Sequence, residues 1–471
     1  MRSEETGEDV VSLEPTKAFF VNMLTKDIEL EDAVLDLLDN CVDGALRSAK
    51  NPANPERPYE GYFAELAFSG TEFSIKDNCG GISNAVRDSA FRLGRPPGDK
   101  TDENLATVGT YGIGMKRAVF KMGYDTRVQS HTDHSGFSVH ISRDWMTKEG
   151  TWKIPVDDFT SEDSPGTMIA VTDLRPEVAA AFDGPASFRD SFRSRVSQYY
   201  SVLIEKGFEV RIDKRPIPAM PLSLRSANLE AVAETTGLTP YIYQSDNNGV
   251  HVEVMVGFFA PFDSDPDEDP TAGRAEEAGW TIVCNDRVIV YKDKTILTGW
   301  GDGAPNYHPQ FRQISGLVTF TSSEPAKLPI TTTKRGINAQ NPVFLEVRKR
   351  MRDGLKVFTS FTNSLKKIDV KERDDLFRTA APVEVKILRS NVSKIKPDSW
   401  TKERTGTGRI FYPPLPKLVE SNSKRMVFSR PEDQVRRVAK FLLGEPGTPP
   451  SETAAAAFDH VLGLAKARAK K

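Results

Sequence analysis

Cysteine is scarce: the 471 residues hold three, Cys41, Cys79 and Cys284, and none lies in a CxxC spacing. That excludes a disulfide-built scaffold and a cysteine-rich zinc site. His131 and His134 stand three apart without a companion cluster, so they read as surface residues rather than metal ligands. No stretch approaches the ~20 apolar residues that a membrane-spanning helix needs, so no membrane partner is expected. The opening residues carry Glu4, Glu5, Glu8 and Asp9 where a secretory leader would be basic and then apolar. A cytoplasmic protein is the expectation.

What is present describes an ordinary folded protein. Charged residues make up 27% and hydrophobic residues 38%, and the length suggests two to four domains. The net charge of −3 conceals an imbalance. Residues 360–471 hold about 23 basic and 13 acidic side chains, whereas residues 1–359 hold about 40 and 53. The tail is basic and the body acidic.

Along the chain, a polar arm ends at Ala18, Phe19 and Phe20. Leu30, Ala33, Val34, Leu37, Leu38, Cys41 and Ala45 then recur at three and four, which predicts a helix over 29–49. Strands are predicted at 62–68 and 72–75. Residues 82–113, rich in glycine and proline, read as a long mobile loop of the kind that usually serves function. A helix follows at 115–122, strand character at 126–141 and 167–172, a helix at 187–206 and a strand at 208–212. A second unit begins near residue 223, with strands at 250–259, 280–284, 287–291 and 314–321. Asn285-Asp286 makes a tight hairpin turn between two of them. A basic amphipathic helix covers 341–367, and helices near 431–443 and 452–469 close the chain.

Four short segments carry chemistry. In Asp36-Leu37-Leu38-Asp39-Asn40 the helical spacing places Asp32, Asp36, Asn40 and Asp43 on one face, opposite the apolar stripe; a solvated charge row would look the same. Asp77-Asn78-Cys79-Gly80-Gly81 puts a carboxylate at a strand end beside glycines, which suits the exocyclic amine of adenine and leaves a guanine carbonyl facing another acceptor; a plain turn is the alternative. Gly109-Thr110-Tyr111-Gly112-Ile113-Gly114-Met115-Lys116 leads into a helix whose N-terminus offers free N–H groups to an anion. It is not a Walker loop, because Met115 follows Gly114, nor a dinucleotide loop, because Arg117 stands where that pattern needs glycine. Gly166-Thr167 opens a closing strand.

Taken together, AVLDLLDNCVDGA, KDNCGGIS, VGTYGIGMK and GTMIAVTDL resemble the four nucleotide-binding boxes of the GHKL ATPase superfamily, over roughly residues 15–220. The resemblance implies an α+β Bergerat-fold sandwich, a mixed sheet covered by helices, in residues 1–222. It implies ATP with Mg²⁺ held through Asn40, adenine read by Asp77 with Gly81 and Thr167, and a phosphate lid of Gly109, Gly112 and Gly114 with Lys116 adding positive charge. Asp36 occupies the position of the general base, where the best-known members carry glutamate. Asp39 or Asp32 would be next in line. Cys79 stands where gyrase-type boxes have glycine. Residues 223–366 look like the α/β transducer domain of the gyrase and MutL branch, and Lys327–Lys334 is similar to its lysine-bearing loop, with Lys334 the expected phosphate contact and Lys327 the substitute. Residues 367–471 would be a basic, mostly helical region. Two functions stay open: an ATP-gated homodimeric clamp on DNA, as in the MutL and microrchidia branch, or a chaperone-like or scaffold ATPase acting on a partner protein.

Overall fold

The computed structural model describes residues 15–49, 52–92, 113–133, 135–148, 150–184, 188–227, 237–261, 277–331, 335–403, 407–418 and 428–469. Two compact units emerge, residues 1–418 and 419–471.

The larger unit holds two sheets. The first is built from β1 (Phe63–Phe68), β2 (Glu72–Asp77), β3 (Gly123–Thr132), β4 (Ser135–Ile141), β5 (Val156–Thr160), β6 (Gly166–Leu174), β7 (Glu209–Ile212) and β8 (Arg215–Pro216). Their order is β5-β4-β3-β6-β2-β1-β7-β8, antiparallel throughout except where β1 runs parallel to β7. Its helices are α1 (Lys17–Thr25), α2 (Leu30–Ser48), α3 (Arg87–Phe91), α4 (Gly114–Met122), α5 (Arg143–Thr147), α6 (Pro176–Asp183), α7 (Phe188–Tyr199) and α8 (Ser201–Glu205). Leu37, Leu38 and Cys41 of α2, Val119 and Phe120 of α4 and Phe192 and Val196 of α7 share one core with Leu66, Phe73, Val128 and Val171 of the sheet. This is the helix-covered mixed sheet that the sequence led us to expect.

Three local departures have simple causes. The polar arm ends in a true helix, α1, because Thr16 caps it by accepting from the Phe19 amide at 3.3 Å. The strand predicted over 126–141 is the hairpin β3–β4, turning at Asp133 in the left-handed region. The polar row of α2 is not a solvated face: Asp36 and Asp43 are buried, Asp32 is half-buried and only Asn40 is exposed, while Asp39 beside the row is buried too.

The second sheet comprises β10 (Tyr241–Asn247), β11 (Val250–Phe258), β12 (Gly279–Cys284), β13 (Arg287–Asp293), β14 (Ile314–Thr321), β16 (Trp400–Lys402) and β17 (Arg409–Phe411). It runs β13-β12-β14-β11-β10-β17-β16, with β12 parallel to β14. A separate pair joins β9 (Ser223–Ser226) to β15 (Ala381–Glu384). α9 (Pro342–Leu365), capped by the Asn341 side chain and opened by Pro342, covers one face. α11 (Val385–Val392) helps to cover the other through Val385, Leu388 and Val392, and α10 (Val370–Arg378) lies between these helices in the chain. Residues 381–411 thus add strands to the second half, and the compact boundary falls at 418/419.

The tail unit contains α12 (Glu432–Leu443), stopped by Gly444 in the left-handed conformation, and α13 (Pro450–Arg468). Among the described residues no helix is long and apolar enough to cross a membrane.

Candidate active site

α2 organises the site because each of its acids meets a partner from a different element. Asp36, 2% exposed, lies between two guanidiniums. Arg117 of α4 donates from Nη2 to Asp36 Oδ2 at 2.5 Å, and Arg335 brings Nη2 within 3.4 Å of Oδ1. Arg335 also donates to the Asp32 carbonyl at 2.9 Å and places Nε 2.9 Å from Asp32 Oδ1. Asp32 and Glu31 share Arg195 of α7. Burying a carboxylate is costly unless it is paired and hydrogen-bonded, and this helix meets that condition with arginines.

Asp39 serves a different purpose. Arg287, at the start of β13, donates from Nε to Asp39 Oδ1 at 2.8 Å, and the Tyr200 hydroxyl donates to the same oxygen at 2.6 Å. Arg287 lies 4.0 Å over the Tyr200 ring and donates to the Tyr199 carbonyl at 3.0 Å. Burial works against its charge, yet Asp39 holds its pKa above the ordinary arginine value. Next to it, Asp286 accepts from Lys206 Nζ at 2.7 Å and from the Tyr59 hydroxyl at 3.5 Å. The β12–β13 hairpin tip is thereby seated in the first half of the unit, one residue from Asn40.

Asp77 ends β2 against the same helix. Its Oδ1 accepts the amides of Cys79 at 2.8 Å and Thr167 at 3.3 Å, while Cys41 of α2 directs its thiol to Oδ2 at 3.4 Å. Burial raises the Asp77 pKa, opposed by these hydrogen bonds and by Arg47. The Thr167 hydroxyl pairs with Ser130 at 2.8 Å, and Ser130 accepts the Ile82 amide at 2.8 Å. Gly81, at φ +67°, passes so close to the strand pair β3–β6 that a Cβ would stand 2.0 Å from the His131 carbonyl oxygen. Asp77, Gly81 and Thr167 therefore come together, and Cys41 ties them to the turn of α2 that carries Asn40.

The remaining expected residues divide. Gly114 opens α4 directly over Asp36, where an added Cβ would lie 3.4 Å from Oδ2. Lys116 is buried and donates to the Ala90 carbonyl at 2.6 Å; burial lowers its pKa to about 8. Asn40 offers an exposed amide that makes no hydrogen bond among the described residues. Gly109, Gly112 and Lys334 lie outside the described residues. Lys327, the substitute cation, pairs with Glu324 at 2.6 Å.

Sequence reasoning missed Arg117, Arg335, Arg287 and Cys41 as partners of these acids. Arg335 adjoins Lys334 in the loop already singled out, but adjacency does not say which cation turns inward. An isolated antiparallel bridge pairs Ile330 with Ile337, and Arg335 reaches α2.

The site can hold a polar ligand with an amine at one end and an anion at the other. Asp77 accepts at a strand end, while α4 and the two guanidiniums supply positive potential about Asp36. For a magnesium ion, the exposed Asn40 oxygen is a hard donor of the right kind, and the ion needs only one or two protein ligands when phosphates and waters complete its shell. Among the described residues no cluster of three His, Cys, Asp or Glu offers an alternative metal site.

Residues 28–170 match the family model described as histidine kinase-, DNA gyrase B-, and HSP90-like ATPase. The match runs from the residues preceding α2 into β6 and includes Asp36, Asn40, Asp77, Gly114 and Thr167. Comparison with curated proteins finds no match.

Proposed function

We propose, from the match of residues 28–170 to the histidine kinase-, DNA gyrase B-, and HSP90-like ATPase family, that the chain binds Mg-ATP between α2, the Asp77 strand end and α4, and hydrolyses it. The observation that carries this reading is the shared geometry of α2. Asp36 sits beneath the first turn of α4, and Cys41, five residues on, touches Asp77. The residues proposed for the adenine amine and for phosphate thus both border one helix.

In this reading Asp77 Oδ2 accepts the adenine amine while the Cys79 and Thr167 amides hold its other oxygen. Asn40 holds Mg²⁺, which offsets phosphate charge when bound. Asp36 orients the attacking water and takes its proton. Its side chain is one methylene shorter than glutamate, so turnover is expected to be slow. Gly109, Gly112 and Gly114 cover the phosphates, and Lys334 or its neighbour Arg335 supplies a cation from the second half, which acts as a transducer.

Equilibrium binding of labelled ATP and phosphate release test these roles together. Asn40→Ala should abolish Mg-dependent binding, and Asp77→Asn should weaken binding at least tenfold, about the cost of one charged hydrogen bond lost to adenine. Asp36→Ala should retain binding and stop turnover. Persisting turnover would remove Asp36 as the base.

ATP-driven closure and homodimerisation through the N-terminal arm, gripping nucleic acid, complete the proposal, supported by the basic tail with Lys466 and Arg468 in the last turn of α13. Retention of duplex DNA should fall steeply with salt. The second reading, a chaperone-like or scaffold ATPase, draws on exposed apolar side chains in the tail: Phe441, Val461 and Leu464. A shift assay at low salt, with and without the tail, separates them, since only the first predicts ATP-sensitive retention.

A further inference from the structure

The two guanidiniums on Asp36 are bonded in a way that leaves capacity unused. Arg117 and Arg335 expose 16% and 14% of their side chains. Among the described residues, Arg117 Nε, Arg335 Nη1 and the Nε of Arg335 are fully buried without a hydrogen-bond acceptor, although the last lies 2.9 Å from Asp32 Oδ1. Unmet buried N–H groups are rare, and each asks for an acceptor. Arg117 stands in the first turn of α4, three residues after Gly114, and Arg335 comes from the second half of the chain. Both converge on Asp36, and among the described residues their side-chain contacts there are with Asp32 and Asp36 of α2.

We propose that Asp36 is an electrostatic latch: without nucleotide it parks Arg117 and Arg335, and a bound triphosphate draws both guanidiniums off the carboxylate, satisfying their spare donors and freeing Asp36 to act on water. The inference rests on the reading of Asp36 as the base and adds Arg117 as a phosphate-positioning residue. It follows from competition. A guanidinium bonds a carboxylate or a phosphate with the same fork of donors, and each guanidinium contact takes one of the roughly four acceptor positions that the Asp36 carboxylate could offer a water. The latch also spans the chain, because Arg117 of α4 and Arg335 of the second half meet on Asp36. Nucleotide would therefore release the second half and prime the base in one step.

The test is a double-mutant cycle on the full chain, read as the affinity for a non-hydrolysable ATP analogue. Asp36→Asn removes the latch charge while keeping its shape, so binding should tighten about tenfold, the order of one charge-assisted hydrogen bond returned to phosphate. In Arg117→Met and Arg335→Met backgrounds that gain should shrink to less than half. Simple repulsion between Asp36 and phosphate makes the opposite prediction: with an arginine gone the carboxylate is less screened, so the gain should stay constant or grow. Either that pattern, or no gain from Asp36→Asn, overturns the latch. Arg335→Lys, which keeps the charge but cannot span Asp32 and Asp36, should fall between wild type and Arg335→Met. Melting followed by circular dichroism confirms that each variant is folded. Failure of the underlying reading looks different: the wild-type chain would not bind the analogue at all.

Discussion

At the scale of single residues, the site is a set of buried charges whose values depend on their neighbours. Lys116 is the most readable. Its folded pKa of about 8 lies below the ordinary 10.5, so the folded chain sheds this proton before the unfolded chain does. Stability should therefore rise as pH increases between those two values and stay flat below about 8. A polyphosphate beside Lys116 would restore its charge. ATP affinity should accordingly weaken above about pH 8, by up to about tenfold per unit, in titrations across that range, and Lys116→Met should remove the dependence. Arg287 is the stability counterpart. With 1% exposure against 0% for Asp39, Arg287→Met leaves a buried carboxylate without its arginine and should cost about 3–5 kcal/mol in urea unfolding. Adding Asp39→Asn should recover part of that loss, because the charge then disappears with its partner.

At the scale of elements, reading from sequence succeeded where one face of an element is polar or a turn needs special backbone. The Asn285-Asp286 turn is an example: both residues have positive φ, +46° and +65°, as a two-residue hairpin demands. β10 was not legible. Tyr241 and Tyr243 pack under α9 while Ile242 packs on the opposite face, so the strand is apolar on both sides and its period of two vanishes. α9 shows the reverse conflict between local and tertiary preference. Alanine is the better helix former by about 1 kcal/mol, yet a Cβ on Gly354 would stand 2.3 Å from Val256 Cγ1 and 3.0 Å from the Tyr241 ring. Gly354→Ala should therefore destabilise, by about 1–3 kcal/mol, in denaturant melts.

At the scale of the molecule, the two halves of the larger unit meet α2 at two kinds of contact. The β12–β13 tip is seated by a fully buried ion pair at Asp39, whereas Arg335 reaches Asp32 and Asp36 with donors to spare. One contact is a sealed ion pair; the other is the one that the proposed latch would open. Residues 419–471 form their own compact unit, so a chain ending at residue 418 should keep its melting temperature within about 2 °C and its ATP affinity. The same truncation should lose duplex DNA in a salt-dependent shift assay. Retention of DNA by the shortened chain would move the nucleic-acid surface elsewhere.

The amino-acid order alone was enough for the boxes around Asp36, Asn40, Asp77 and Gly114 and for most of the elements that carry them. Turn chemistry and helical spacing act over a few residues and are written locally. Which cation meets which acid was not readable. Arg117, Arg287 and Arg335 lie 81, 248 and 299 residues from the carboxylates they hold, and a long flexible side chain bears no local mark of its partner. Folding makes that choice, because a buried carboxylate must be met by whichever guanidinium the packed sheets bring within reach.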